Sequence, residues 1–248
     1  RSKKVLNKKN ILTKKSNIIN NFANDFYQSY LLQHTNELPL IDAKIAISKD
    51  YYTKDKKNKW ITNIDALKRA HLLRSTYDCI ITTSKTVNED NSVLNCRING
   101  LENRSPDLII IDRFLKLKRN LKLYKNKKNR KIIIFTTTNN NLMINFLKKK
   151  GIKVYFFKSL INKIDFINFF NFIKKLKYSR IFFETGLTFM NFLIKNNFLN
   201  HLYLFKTKFL LKTNGYNSGD IKVLKKIKIK NKINLNLNGN TLFKIKLK

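Results

Sequence analysis

Three short segments carry residue types that can do chemistry, and each follows or borders an apolar run. The first is Arg180-Ile-Phe-Phe-Glu184-Thr185-Gly186-Leu187-Thr188, which reads as a strand passing through a small turn into a helix. Free N–H groups at the helix start, beside a glycine that permits close approach, make a cradle for an anion such as a pyrophosphate. Glu184, at the strand tip, can hold a polar group of a substrate. The same pattern also describes an ordinary turn with Thr188 as the cap. The second segment, Asn58-Lys59-Trp60-Ile61-Thr62, holds the only Trp in the chain. An exposed indole beside a helix start can cover a nicotinamide or a base, and it can equally anchor an edge of the core. The third runs from Thr82 to Asp90 and on through Leu94-Asn95-Cys96-Arg97. Hydroxyls and backbone amides after a strand suit a phosphate or ribose, and Arg97 suits a substrate phosphate. A polar loop is the plainer reading.

Other chemistries lack their residues. His34, His71 and His201 stand far apart with no Cys or carboxylate at ligand spacing, so no metal site is expected. His71 reads as a packed or solvated helix residue. Neither a GxSxG elbow nor a Walker lysine motif occurs. Cys79 and Cys96 are the only cysteines, which excludes a disulfide framework and a four-cysteine zinc site. Cys79 lies within an apolar run and reads as inert core.

The elements that must position these segments are legible from periodicity. Ile41, Ala43, Ile45 and Ile47 alternate with Asp42, Lys44, Ala46 and Ser48, a strand pattern. Thr62 and Asp65 resemble a capping box opening a helix that carries Leu67, Ala70, His71 and Arg74. Strands are expected at Asp78–Thr83, Asp107–Ile111 and Lys131–Thr136. Helix and strand then alternate: helix 141–149, strand Ile152–Phe157, helix Phe166–Leu176, strand Arg180–Phe183, helix 188–197 and strand Leu202–Phe205. The tail Val223–Leu247 alternates Ile/Leu with Lys/Asn, as closing strands with one wet face do. Strands separated by helices imply an α/β fold with a largely parallel central sheet flanked by helices. One domain is expected over residues 39–248, preceded by a basic segment, 1–38, with a short helix near Ile18–Leu32.

The 248 residues include 52 Lys+Arg against 15 Asp+Glu, a formal charge of +37. Such a surplus attracts anions, nucleic acid among them. It comes with heavy use of Asn, Ile and Phe, which share A/T-rich codons with Lys, so compositional drift accounts for most of it. Hydrophobic residues at 43% and aromatics at 12% exclude a disordered basic tail. No run approaches the roughly 18 apolar residues of a membrane span, and a cytoplasmic protein is expected.

Taken in order, several segments resemble the reductase domain of the bifunctional riboflavin-biosynthesis deaminase–reductase. They are Lys44-Ile-Ala46-Ile-Ser48-Lys-Asp50, Lys59-Trp60-Ile61-Thr62, Leu72-Leu73-Arg74, Thr83-Ser-Lys-Thr86-Val87-Asn-Glu-Asp90, Leu94-Asn-Cys-Arg97, Ile110-Ile-Asp112, Glu184-Thr-Gly186-Leu-Thr188 and Lys208-Phe-Leu-Leu. The resemblance implies a dihydrofolate-reductase-like fold, a homodimer or larger homo-oligomer, and NADPH as cofactor. It implies reduction of the phosphorylated substrate 5-amino-6-(5-phosphoribosylamino)uracil by hydride transfer to ribose C1′. By position, Ala46, Trp60, Thr86, Asp90, Gly186, Leu187, Thr188 and Phe189 fall on the cofactor side. Lys44, Asn58, Arg74, Leu94, Arg97 and Glu184 fall on the substrate side, with Lys44, Asp90 and Glu184 expected to be catalytic. Lys44 would bond a pyrimidine carbonyl, Arg74 and Arg97 the phosphate, and Glu184 the pyrimidine or ribose.

The chain departs from the family pattern at several turns. Asp-Gly becomes Asp50-Tyr51, Asp-Ser becomes Asp112-Arg113, and a double-Gly turn becomes Thr185-Gly186. Asp-Pro becomes Asn91-Ser92, and an acidic pair becomes Asn200-His201. Arg113 could meet the 2′-phosphate of NADPH. The His-x-Glu and Pro-Cys-x-x-Cys signatures of the zinc deaminase domain are absent from this sequence. Residues 1–38 then resemble an interdomain linker remnant, and the chain the reductase half of a longer parent with an N-terminal deaminase domain. The alternative is a basic nucleic-acid-binding or assembly protein on a degenerate reductase fold.

Overall fold

Apolar β-branched runs and amphipathic runs follow one another along the chain, and the backbone follows that alternation. The computed structural model describes residues 2–13, 24–35, 37–58, 60–125 and 130–248. In chain order the elements are α1 (Ser2–Asn7), α2 (Asn24–Gln33), β1 (Leu40–Ile47), β2 (Lys54–Asp55), α3 (Ile64–Arg74), β3 (Cys79–Thr83), α4 (Ser84–Asp90), β4 (Asp107–Ile111) and β5 (Ile132–Thr136). They continue as α5 (Asn141–Lys149), β6 (Lys153–Phe156), α6 (Lys163–Lys175), β7 (Arg180–Glu184), α7 (Leu187–Lys195), β8 (His201–Thr207), β9 (Gly215–Tyr216), α8 (Lys222–Lys225), β10 (Lys232–Leu237) and β11 (Asn240–Lys246).

The main sheet has nine strands in the order β10-β11-β8-β1-β7-β3-β4-β5-β6. Every pair from β8 to β6 is parallel, and β11 runs antiparallel to both β8 and β10. Helices cover both faces. Ile41, Ala43, Ile45 and Ile47 of β1 pack with Phe166, Phe169 and Phe170 of α6 and Leu187, Met190 and Leu193 of α7. The opposite face holds Ala66, Ala70 and Leu73 of α3 and Met143 and Leu147 of α5. Burial on both sides explains the unbroken isoleucine runs of β4 and β5. Each fully buried Ile, Leu or Phe there contributes about 1.5–3 kcal/mol.

Asp42 points to the second face and is fully buried, yet its carboxylate is satisfied. It accepts from the Tyr77 hydroxyl at 2.6 Å and the His201 amide at 3.0 Å, with His201 Nδ1 at 2.9 Å. Asn200 accepts from the Ile41 amide through Oδ1 at 2.9 Å. The Asn200-His201 departure is therefore stitched into the start of β1. Cys79 is buried within β3, and burial pushes its thiol well up.

Two expectations change. The cap of α3 is Asn63, not Thr62: Asn63 Oδ1 accepts from the Ala66 amide at 3.0 Å while Nδ2 donates to Leu237 O at 2.7 Å. A carboxamide can cap the helix and tie down β10 at once, which a threonine hydroxyl at position 62 does not do. Residues 84–90 form a helix capped by Thr83 rather than a polar loop. Of the helix expected near Ile18–Leu32, the described part is α2 (Asn24–Gln33), and the stretch 18–23 lies outside the described residues. Lys174 of α6 reaches the end of α2, donating to Leu32 O and Thr35 O at 2.5 Å each. A cation on those last carbonyls is the favourable end of a helix for it.

Candidate functional site

The carboxyl ends of β1, β7 and β3 meet at one polar cluster, as expected of an open parallel sheet. Strand register sets Lys44 level with Glu184. Arg74, the last residue of α3, reaches the same carboxylate with two charge-assisted bonds, Nε to Oε1 at 2.5 Å and Nη2 to Oε2 at 2.9 Å. Thr82 donates to the Glu184 carbonyl at 2.7 Å, fixing the strand tip from β3. Burial alone would raise the Glu184 carboxyl, but the Arg74 guanidinium and then Lys44 hold it below the usual range. Burial lowers the Lys44 ammonium, against the pull of Glu184 and with the push of Arg74. Among the described residues Lys44 Nζ has no hydrogen-bond partner, and it stands 5.6 Å from the Phe205 ring centroid.

His71, three residues before Arg74, joins this cluster to Arg97. Arg97 approaches His71 Nε2 with Nη2 at 3.1 Å and Nε at 3.4 Å. Nδ1 lies 2.9 Å from Asn95 O, 3.2 Å from the Arg97 amide nitrogen and 3.3 Å from Arg74 Nη1, so the ring bridges both arginines. Burial, then Arg74 and Arg97, lower the His71 pKa to about 4, so the ring is neutral near pH 7. Arg97 is exposed and has no carboxylate partner among the described residues.

Beside the cluster opens a cavity of about 360 Å³, within the usual range for small-molecule sites. Thr83, Thr86 and Glu89 line it from β3 and α4, Gly186, Thr188 and Phe189 from the start of α7, and Arg113, Phe114 and Lys116 from the loop after β4. Gly186 has φ −67, so its backbone does not require glycine. A Cβ there would meet only Ser218 Oγ, at 3.8 Å, which leaves its open side to the cavity.

The structure thus gathers Lys44, Arg74, Arg97 and Glu184 at one end and Thr86, Gly186, Thr188 and Phe189 around the cavity. Asp90, at the end of α4, reaches Lys44 through its field. Four expected residues are placed differently. Leu187 is core, and Leu94 buries its side chain in the second cluster at φ +54. Asn58 is exposed and donates to Asp55 at 2.8 Å, and Trp60 is half exposed, outside the cavity lining. Ala46 packs beside Lys44 on the second face. Sequence reasoning set aside His71, although its i,i+3 spacing to Arg74 was a usable signal. Ser218 gave none: the segment 215–220 becomes a strap, held by Thr188 Oγ1 donating to Ser218 O at 2.9 Å and Asn217 Nδ2 donating to Tyr51 O at 3.1 Å.

Tyr51 keeps the turn that glycine usually makes, at φ +67. Its ring lies beneath Lys206 Nζ at 4.8 Å. Asp50 closes the turn by accepting from Ser48 Oγ at 2.5 Å and the Lys212 amide at 2.8 Å.

A parallel sheet covered on both faces, extended by an antiparallel hairpin and bearing its polar cluster at the strand tips, defines a dihydrofolate-reductase-like α/β domain. The chain belongs to the RibD C-terminal domain family, whose model matches residues 39–211. It is 26% identical over 185 residues to the riboflavin biosynthesis protein RibD of Aquifex aeolicus, covering 74% of this chain and 50% of that protein. The chain spans about half the length of the curated relatives it matches. Among solved structures, Acinetobacter baumannii RibD superposes with a TM-score of 0.77 at 16% identity, over 98% of this chain and 67% of that one. The Saccharomyces riboflavin biosynthesis reductase Rib7 gives a TM-score of 0.65 at 20% identity, over 90% of this chain and 98% of that one. Among the described residues no helix is long and apolar enough to cross a membrane.

Proposed function

We propose that this chain is an NADPH-dependent reductase of riboflavin biosynthesis that converts 5-amino-6-(5-phosphoribosylamino)uracil to its ribitylamino counterpart. The observation that carries this reading is the Lys44–Glu184–Arg74 cluster at the strand ends together with a cavity lined by the residues that follow β3 and β7, Thr83 and a bare Gly186 among them. The cavity fits a dinucleotide: Thr83, Thr86 and Thr188 offer hydroxyls, Gly186 leaves room for a pyrophosphate, and Phe189 supplies an apolar wall. When bound, the cofactor supplies a hydride. Reduction at C1′ opens the ribose ring, and O4′ takes up a proton. Lys44 Nζ, which has no hydrogen-bond partner among the described residues, donates to a pyrimidine carbonyl. Glu184, held ionised and oriented by Arg74, accepts from the pyrimidine or ribose. Arg97 is the cation with free donors for the substrate phosphate, while Arg74 already gives two of its nitrogens to Glu184. Catalysis on this account is positioning and electrostatics at a site closed off by packed strands. A deaminase domain ahead of this one in a longer parent, and self-association, belong to the same proposal.

Kinetics of Arg97→Ala test the substrate end. KM for the phosphorylated pyrimidine rises at least tenfold, as for loss of a charge-assisted contact, while NADPH affinity is unchanged. Equal loss of both would put Arg97 at the wrong end of the site.

A further inference from the structure

We propose that His71 is a positioning residue for substrate recognition: its imidazole fixes the direction of the Arg97 guanidinium, so that the cation meets the substrate phosphate already oriented. This rests on the reading above, in which Arg97 binds that phosphate. Arg97 is exposed, and no carboxylate among the described residues pairs with it. A long cation of that kind is otherwise spread over many rotamers, and ordering it on binding costs affinity. Here the ring restrains it. Nη2 stands 3.1 Å and Nε 3.4 Å from His71 Nε2, while the Arg97 amide nitrogen stands 3.2 Å from Nδ1. One imidazole thus touches both the backbone and the fork of the same arginine. The remaining fork nitrogen, Nη1, has no hydrogen-bond partner among the described residues and is left for a ligand.

An arginine nitrogen only donates, so the ring can hold the fork only as an acceptor, and only a neutral imidazole keeps an acceptor nitrogen. The surroundings keep it neutral. Arg74 Nη1 lies 3.3 Å from Nδ1, and burial together with the two guanidiniums outweighs the more distant Glu184 carboxylate. Spacing on α3 divides the labour: Arg74 turns its fork to Glu184, and His71, one turn earlier on the same face, turns to Arg97. The loop that carries Arg97 has supports of its own. Arg130 donates to Val93 O and, at 2.8 Å, to Leu94 O. The Cys96 amide donates to Ser105 Oγ at 3.0 Å, and Asn95 O accepts from Arg74 Nη1 at 3.1 Å. Leu94 and Cys96 are buried. Removing the imidazole therefore leaves the loop anchored and releases the fork, which separates recognition from folding.

The test is equilibrium binding of 5-amino-6-(5-phosphoribosylamino)uracil and of its phosphate-free counterpart, without cofactor, to the wild type, His71→Leu, His71→Gln, Arg97→Ala and the His71→Leu/Arg97→Ala double variant. Leucine removes the acceptor at similar bulk, whereas the glutamine carboxamide oxygen can take the place of Nε2. The expected result is that His71→Leu weakens the phosphorylated ligand about fivefold, as for loss of one hydrogen bond. The phosphate-free ligand keeps its affinity, His71→Gln restores most of the loss, and His71→Leu adds nothing once Arg97 is alanine. In turnover the same substitution raises KM far more than it lowers kcat. A His71→Leu variant that weakens both ligands alike or neither, or that costs as much in the Arg97→Ala background as alone, would overturn the positioning role and leave the reductase reading standing. A wild type that binds the phosphorylated ligand but does not reduce it overturns the reductase reading, and the binding pattern still decides the role of His71. A wild type that binds neither ligand overturns both.

Discussion

Replacing Arg74 with Met removes the guanidinium from Glu184 while keeping most of the stem that packs at the end of α3. The pair is bidentate, and its side chains are only 12% and 10% exposed. Breaking a fully buried pair by deleting one partner costs about 3–5 kcal/mol, and the residual exposure of both side chains reduces the expectation here to about 2–4 kcal/mol. In a domain of this size each kcal/mol lowers Tm by about 2–4 °C. Glu184→Gln strands the other charge, beside Lys44, and is expected in the same range. The double variant leaves neither charge of the pair unpaired, so its loss should fall short of the sum of the singles by about 2 kcal/mol. Urea denaturation of the four proteins, followed by circular dichroism, measures this coupling. Additive effects within a few tenths of a kcal/mol would refute the claim that Arg74 is committed to Glu184.

The neutral His71 makes stability pH-dependent. Its folded pKa of about 4 lies below the ordinary 6.5, so the unfolded chain takes up the proton first, and the contribution present above 6.5 is lost as pH falls towards 4. Denaturation curves across that window should be steeper for the wild type than for His71→Asn, and identical slopes would remove His71 from the account. At Tyr51 the left-handed backbone reverses the usual order of small residues: Tyr51→Gly should be more stable than Tyr51→Ala by about 1 kcal/mol. Thermal melts of the two variants decide it. Gly219→Ala places a Cβ 2.9 Å from the Thr188 amide nitrogen and 2.8 Å from its hydroxyl, which lifts the strap from α7. Fluorescence titration should then show weakened NADPH binding, and unchanged affinity would separate the strap from the cofactor site.

Local patterns made much of the sheet legible. The parity of Ile41 to Ile47 fixed which β1 side chains face α6 and α7, and the isoleucine runs of β4 and β5 marked strands covered on both faces. The site was legible where a residue sits at a strand tip, as Glu184 does at the end of β7. What escaped depends on contacts between distant segments. Arg74 and Glu184 are 110 residues apart in the chain, and only the placement of β7 between β1 and β3 brings them together. Asn63 won the cap over Thr62 because β10 supplied a second acceptor, 174 residues away. The strap at 215–220 has no periodicity, and its bonds run to Tyr51, Thr53 and Thr188.

The charge imbalance has a structural counterpart. Asp50, Asp78, Asp112, Asp165 and Asp220 each accept backbone N–H groups that close a turn, a strand start or a helix cap. Asp42 and Glu184 are buried in networks. Acidic residues persist where the backbone or the site uses them, while lysines fill exposed positions such as Lys222, Lys225, Lys226, Lys228 and Lys230. That distribution accords with compositional drift acting on a fold whose acids have work to do.

The central claim, reduction of a phosphoribosylaminopyrimidine at this cluster, is tested most directly by following loss of the reduced-nicotinamide absorbance with the purified chain at moderate salt. The account predicts NADPH oxidation that depends on 5-amino-6-(5-phosphoribosylamino)uracil and falls in Arg97→Ala at subsaturating substrate. A protein that binds NADPH but shows no oxidation dependent on that substrate would contradict it.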